Sequence, residues 1–339
     1  MKNPVATTWL ISFKQIRRSD PLAADYLSFI ACVNPRDIPE SLLPPGPSRN
    51  QEVKAIGTLA AYSFISRRPV DFLLDLHRLV HLATRNWLRK EEQLSQWTQK
   101  AIIRLEEVFP NDDHNNRSTW RTYLPHARQV LGSDLVSEDG EQRMTLMWKY
   151  GRCLYSDGRW DEAEVTFTEL LAIDRKALGE EKLSALSSMA WLASTHRNQG
   201  RWEEAEQLEV QVMETFKTKL GADHPDTLSS MANLASTFWN QGRWKEAEQL
   251  DVQVMESRKT KLGADHPDTL NSMDNLALTW KGLGRDAEAI QLMSDCVKRR
   301  TCILGATHPN SLSSKEALTE WEAERLDIIT DIATKENVT

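Results

Sequence analysis

The sequence of 339 residues predicts an all-α protein, built mainly as a stack of antiparallel helix pairs behind a smaller body of helices and a β-hairpin. Three observations predict it. A block of 42 residues is written twice without a gap, Gly200 to Gln241 and Gly242 to Leu283, and the copies agree at 31 of 42 positions. Inside each copy apolar residues recur at spacings of three and four, the period of a helix with one buried face. Charge divides the chain: residues 1–132 hold 18 Lys+Arg against 13 Asp+Glu, and residues 133–339 hold 24 against 36, so two bodies with different surfaces are joined. A fixed period of this length means stacked supersecondary units, because no single unit can bury its apolar face alone.

Each period holds two helices. The first spans about Pro225 to Asn240, with Leu228, Met231, Leu234, Ala235 and Phe238 on its inner stripe. Pro225 has the fixed φ that suits a helix start, and Gln241-Gly242 ends the helix. The second spans Trp244 to Leu262 and carries Trp244, Ala247, Leu250, Val254, Met255 and Leu262, with Gly263 as its stop. Trp160, Trp202 and Trp244 recur one period apart, which marks them as packing residues between helices. Looser copies begin at Gly158 and Gly284; in the last, Asp286 replaces the Trp, and Pro309 to Glu324 supplies only a first helix, the expected form of a capping end.

The string Gly-Arg-Trp-x-Glu-Ala-Glu, with Ala193, Ala235 or Ala277 seven residues before its Gly, resembles the tetratricopeptide repeat. The extra length and the loops LGADHPDTL (from Leu220 and Leu262) and LGATHPNSL (from Leu304) resemble the kinesin light chain subtype. That resemblance covers Glu141 to Glu324 and implies a right-handed superhelix of antiparallel helix pairs, with the first helix of each pair lining a concave groove.

The first third reads differently. Thr8 to Arg18 and Pro21 to Val33 have the pattern of short amphipathic helices, prolines at 39, 44, 45 and 47 break the chain, and Gln51 to Ala61 reads as a third helix. Two short apolar runs, Tyr62 to Ile65 and Asp71 to Leu76, flank Arg67-Arg68-Pro69 as a two-stranded wing, and His77 to Lys90 is helical again. Asn3 to Arg89 resembles the winged-helix segment of fungal NLR-like (STAND, NB-ARC) proteins. In that family a Met-His-Asp motif places its His by the nucleotide's terminal phosphate. Here the motif reads Leu76-His77-Arg78, so the resemblance carries only His77, and only where an upstream nucleotide-binding domain exists. Glu91 to Phe109 and Arg117 to Leu131 read as a helical hairpin between the two bodies. The expected division is 1–90 winged-helix-like, 91–135 linker hairpin, 136–325 repeat array with its cap, and 326–339 tail.

Several chemistries lack their residues. No Gly-x-x-x-x-Gly-Lys-Ser/Thr is present, so nothing cradles β- and γ-phosphates and no cofactor is expected. His224, His266 and His308 recur once per repeat, but copies one helix pair apart are roughly 10 Å or more from one another, too far to share a metal ion; a capping role before Pro225, Pro267 and Pro309 is expected instead. His77 and His81 stand at i, i+4 without the Glu of a zinc-protease helix. Glu203, Glu204, Glu206, Glu246 and Glu248 read as a solvated helix face. Four scattered cysteines without a CxxC suggest reduced thiols in the cytosol or nucleus, and the cytoplasm is the expected location. No apolar run reaches membrane length. DNA binding needs cations on the candidate recognition helix, and Gln51 to Ala61 offers only Lys54.

The remaining surface is the face of the first helices opposite their apolar stripes. It carries Trp148, Arg152 and Tyr155, then Trp191, Arg197 and Asn198, then Asn233, Trp239 and Asn240, then Asp274, Asn275 and Lys281. Asn amides both donate and accept, which suits an extended peptide backbone, and Trp and Arg are common interface anchors. The expectation is a non-enzymatic module that captures a protein or peptide: the sensor half of a fungal NLR-like receptor without its nucleotide-binding domain, which would be an upstream or separate partner. A cargo or scaffold adaptor of the kinesin-light-chain kind and a winged-helix DNA binder are the alternatives. Arg152, Arg197 and Lys281 are expected to meet acidic ligand residues, and Asp274 basic ones.

Overall fold

The computed structural model describes residues 4–68, 70–178 and 182–336, which form two compact units, residues 1–180 and 181–339. The first unit begins with α1 (Pro4–Ser19), α2 (Pro21–Ile30), β1 (Ile38–Pro39), α3 (Arg49–Ala61), β2 (Ile65–Arg68), β3 (Leu73–Leu76) and α4 (Arg78–Lys90). The α2 helix starts where Asp20 accepts a hydrogen bond from the Ala23 amide and Pro21 fills the first turn. It was expected to be amphipathic but is buried on nearly every side, Tyr26, Leu27, Phe29 and Ile30 included, because α1, α3, α4 and α5 (Leu94–Val108) all pack on it. Trp9 stacks on Phe13, which meets the edge of Trp87, and so α1 is joined to α4.

The hairpin differs from the expected wing in two respects. The sheet has three strands in the order β1-β3-β2, all antiparallel, with Ile38 opposite Leu74 and Ile65 opposite Leu76. Arg67 and Arg68, expected in the turn, lie in β2. Arg67 bonds Glu40, and Arg68 pairs with Asp37 and Asp75, so acids that flank β1 and lie within β3 hold both arginines on the sheet. The helical hairpin then forms as α5 and α6 (Arg117–Leu131), and α5 packs on α7 (Glu141–Ser156), which pairs with α8 (Trp160–Leu178) to complete the unit.

The second unit holds α9 (Leu183–Asn198), α10 (Trp202–Leu220), α11 (Pro225–Asn240), α12 (Trp244–Leu262), α13 (Pro267–Gly282), α14 (Asp286–Leu304) and α15 (Pro309–Glu336). The Gly-Arg turn within each pair has a clear cause. Gly242 adopts φ +74, a region that costs a β-carbon dearly, and the next amide, of Arg243, returns to the Phe238 carbonyl at 2.9 Å. The Arg243 guanidinium lies over the Phe238 ring and bonds Glu246 three residues on. The loops between pairs are equally regular. Gly221 and Gly263 stop the second helices at φ +95 and +93. His224, His266 and His308 then cap the first helices, each Nδ1 accepting from the amide two residues on at 3.2 Å. The histidines therefore have the capping role that their place before proline suggests.

Apolar stripes close the core as the periodicity requires: Leu234, Ala235, Phe238 and Ala247 form one cluster and Leu228, Met231 and Val254 another. Trp321 of α15 joins Ala277, Ala289, Ile290 and Met293 at the end of the stack. The cap is longer than expected, since α15 continues past Glu324 to Glu336 and takes in most of the supposed tail. Trp244 packs between helices as expected, against α13 at Gly282, where an added Cβ would come within 3.0 Å of the ring, and it stays 39 % exposed. One expectation needs correction. Glu206 and Glu248 are half-buried rather than solvated. Glu206 accepts from Arg243 and Gln241 of the next repeat at 2.7 and 2.9 Å, and Glu248 accepts from Trp280 at 2.8 Å and pairs with Arg285. Each of the two Arg–Glu links spans 37 residues, and together they tie successive repeats to one another.

Candidate functional site

Most of the charges expected to await a ligand are engaged within the chain. In the first unit, Arg152 of α7 bonds the Asp112 carboxylate, at 2.7 Å to its nearer oxygen, and Trp148 meets the edge of Phe167. In the second unit, Arg197 of α9 reaches Glu209 of α10 at 3.1 Å and the Asn233 carbonyl of α11 at 2.9 Å. Asp274 accepts from Arg300 at 3.1 Å and from Ser314 at 2.7 Å. Lys281 is held by Asp286 at 2.9 Å and Glu324 at 2.8 Å. The expectation that Arg152, Arg197 and Lys281 meet acidic ligand groups, and Asp274 basic ones, therefore gives way. Sequence position put them on the right helices, but the opposite charge comes from a neighbouring helix or, for Arg152, from Asp112 in the loop between α5 and α6.

The neutral groups are different. Asn198 is exposed, Asn233 and Asn275 are half-buried, and the side-chain amides of all three have no hydrogen-bond partner among the described residues. Asn233 and Asn275 occupy the same place in consecutive repeats. Asn240 is turned onto its own helix, donating to the Ser236 carbonyl at 2.7 Å. Trp239 is 40 % exposed and donates its indole N–H to the Leu278 carbonyl of α13 at 3.4 Å. Trp191 is half-buried, and its carbonyl accepts from Thr195. His77 is exposed and caps α4 by accepting from the Leu79 amide at 3.3 Å, a structural role complete in itself.

Two acids that sequence reasoning passed over stand behind this face. Glu209 and Asp251 sit at matching positions of α10 and α12 and are 2 % and 4 % exposed. Burial raises both carboxyls, that of Asp251 to about 6. Glu209 has Arg197 as counter-ion; among the described residues Asp251 has only the Thr279 hydroxyl, which donates to Oδ2 at 2.8 Å. Asp251, Trp239, Asn240, Asn275 and Thr279 line a cleft of about 100 Å³. A signal for both acids was present in the sequence, since each falls on the apolar stripe of its helix, as Asp251 does between Ala247 and Val254. Among the described residues no group of three or more His, Cys, Asp or Glu could hold a metal ion.

The tetratricopeptide repeat family model matches residues 142–218, 184–260 and 233–301. The array is built of tetratricopeptide repeats. Its paired helices, and the Gly-Arg turn between them, are the structural form of that match. A nucleotide-binding leucine-rich repeat (NLR)-like protein of Hyaloscypha variabilis is 41% identical over 189 residues, which is 56% of this chain and 19% of that protein. The chain thus spans about a fifth of the length of this relative. Nearly identical TPR-like repeats of a kinesin light chain from Podosopora anserina are 24% identical, covering 63% of this chain and 95% of theirs with a TM-score of 0.44. A STAND protein with a tetratricopeptide repeat sensor from Pyrococcus horikoshii is 12% identical, covering 92% of this chain and 62% of its own with a TM-score of 0.42. No helix among the described residues is long and apolar enough to cross a membrane.

Proposed function

We propose that the repeats capture an extended segment of a partner protein along the face formed by α9, α11 and α13, as the ligand-sensing part of an NLR-like receptor. One observation carries this reading. Asn233 and Asn275 repeat at the same helix position with their side-chain amides unengaged, so they offer a ladder of donors and acceptors to a peptide backbone. Exposed Trp239 beside them supplies a flat apolar anchor. The NLR-like relative supports a receptor setting, with a nucleotide-binding module acting in the same polypeptide or beside it, and free cysteines fit a place in the cytoplasm. In that setting the α1–α4 body is a winged-helix-like relay between the array and the nucleotide switch. Catalysis has no part in this reading.

The test is recovery of cytosolic partners, or of peptides from a random library, on the full chain and on an Asn233→Ala/Asn275→Ala variant. Loss of binding with unchanged melting temperature supports the reading, because neither amide contributes a hydrogen bond to the unliganded fold. A variant that keeps every partner, while Glu246→Lys on the second-helix surface loses them, would move the interface off this face and overturn the reading.

A further inference from the structure

The two buried acids of the array are equivalent in position and unequal in company. In the α9–α11 repeat, Arg197 extends its guanidinium between the Glu209 carboxylate at 3.1 Å and the Asn233 carbonyl at 2.9 Å. Advancing all three by one period of 42 residues gives Trp239, Asp251 and Asn275. The acid and the helix that offered the carbonyl are still present, and the cation is gone. The cleft of about 100 Å³ lined by Trp239, Asp251 and Asn275 lies where the guanidinium would be. Its volume is that of roughly three waters, enough for the planar end of one side chain and too small for a whole residue. Trp239 does not close it, because its indole N–H is held one helical turn further on, at the Leu278 carbonyl, and its ring remains on the cleft wall.

We propose that this cleft is a receptor for a single arginine side chain of the partner peptide, whose guanidinium seats on Asp251 as that of Arg197 seats on Glu209 one repeat earlier.

Asp251 is the group that makes the site selective. It is 4 % exposed, its Oδ2 is held by Thr279, and its Oδ1 has no hydrogen-bond partner among the described residues. Among the described residues no cation draws its carboxyl down from about 6, so the ion pair is incomplete until a ligand supplies one. A guanidinium suits this wall better than an ammonium, since it can bond the carboxylate and a helix carbonyl at once and stack on the Trp239 ring. The preceding repeat holds its cation from within, and the following one has Met293 in place of the acid, so the array provides this seat once among its described repeats. A fixed seat for one side chain beside the Asn233–Asn275 ladder would set the register of a bound peptide.

This inference rests on the peptide-capture reading, and two measurements separate them. The first uses N-acetyl-arginine methylamide on the full chain, read at the side-chain amide NMR signal of Asn275. A saturable shift is expected, absent with the neutral citrulline analogue and weakened by about tenfold or more in Asp251→Asn, which removes the charge-assisted bond. Trp239→Arg, which transplants the arrangement of Arg197, should fold and abolish the shift by filling the seat from within. Equal shifts with the citrulline analogue, or in Asp251→Asn, would overturn the proposal. The second measurement selects peptides from a random library. Peptides that carry arginine and lose binding to Asp251→Asn support both inferences. Peptides that need Asn233 and Asn275 but neither arginine nor Asp251 leave peptide capture standing and overturn the seat. An arginine probe that binds while no peptide is recovered keeps the seat and overturns capture.

Discussion

Replacing Asp251 by Asn should stabilise the protein, and by an amount that depends on pH. Burial raises the Asp251 carboxyl from 3.8 to about 6, with the Thr279 hydrogen bond opposing the rise. A shift of about 2 units corresponds to about 3 kcal/mol at about 1.4 kcal/mol per unit. The sign follows from the direction. An acid whose folded value lies above its unfolded value contributes stability in its protonated form, fully present below the unfolded value and lost as pH rises through the folded one. Asn has the same shape, does not titrate, and can still accept from Thr279 through its carbonyl oxygen. The gain over wild type should therefore grow from about 1 kcal/mol near about pH 4.5 to about 3 kcal/mol near about pH 7.5. Urea unfolding at the two values, with hydrogen exchange in α12 and α13 to locate the effect, measures it. A gain that is equal at both pH values, or a loss at the higher one, would show that Asp251 already has a counter-ion and would remove the basis for an unfilled seat.

Four further outcomes follow from the same geometry. Arg197→Ala leaves Glu209 buried without its cation and should cost about 3–5 kcal/mol in urea unfolding, most of it recovered in Arg197→Ala/Glu209→Gln. Trp202→Ala and Trp244→Ala should each cost about 2–3 kcal/mol, below the range for a fully buried Trp because these rings keep part of their surface in water, and should broaden the transition as repeats uncouple. Gly263→Ala should cost about 1–3 kcal/mol, because φ +93 with ψ 162 is nearly closed to any residue with a Cβ; an unchanged midpoint would contradict this stop geometry. Calorimetry should detect neither ATP nor ADP binding by this chain, and His77→Ala should change nothing there, since His77 caps α4 and no phosphate-cradling loop occurs in the 339 residues.

The sequence by itself determined what is local. Helix pairs, their period and their ends are fixed within a few residues by apolar spacing, by prolines such as Pro225 and by glycines such as Gly242, and α11 and α12 fall where those signals place them. The capping role of His224 was legible for the same reason, since its partner amide is two residues away. Tertiary structure decided which charges were free. Arg197 finds Glu209 twelve residues on, Asp274 finds Arg300 twenty-six residues on, and Lys281 finds Glu324 forty-three residues on; each pairing depends on which face of one helix meets the next. An ion pair is a relation between helices, and a periodic pattern on one helix does not contain it. That is why Arg197 and Asp274 stood out in the sequence yet are engaged within the fold. It is also why Asp251, an acid on an apolar stripe, emerged as the unfilled position only when its neighbour was seen to be Trp239 rather than a second arginine.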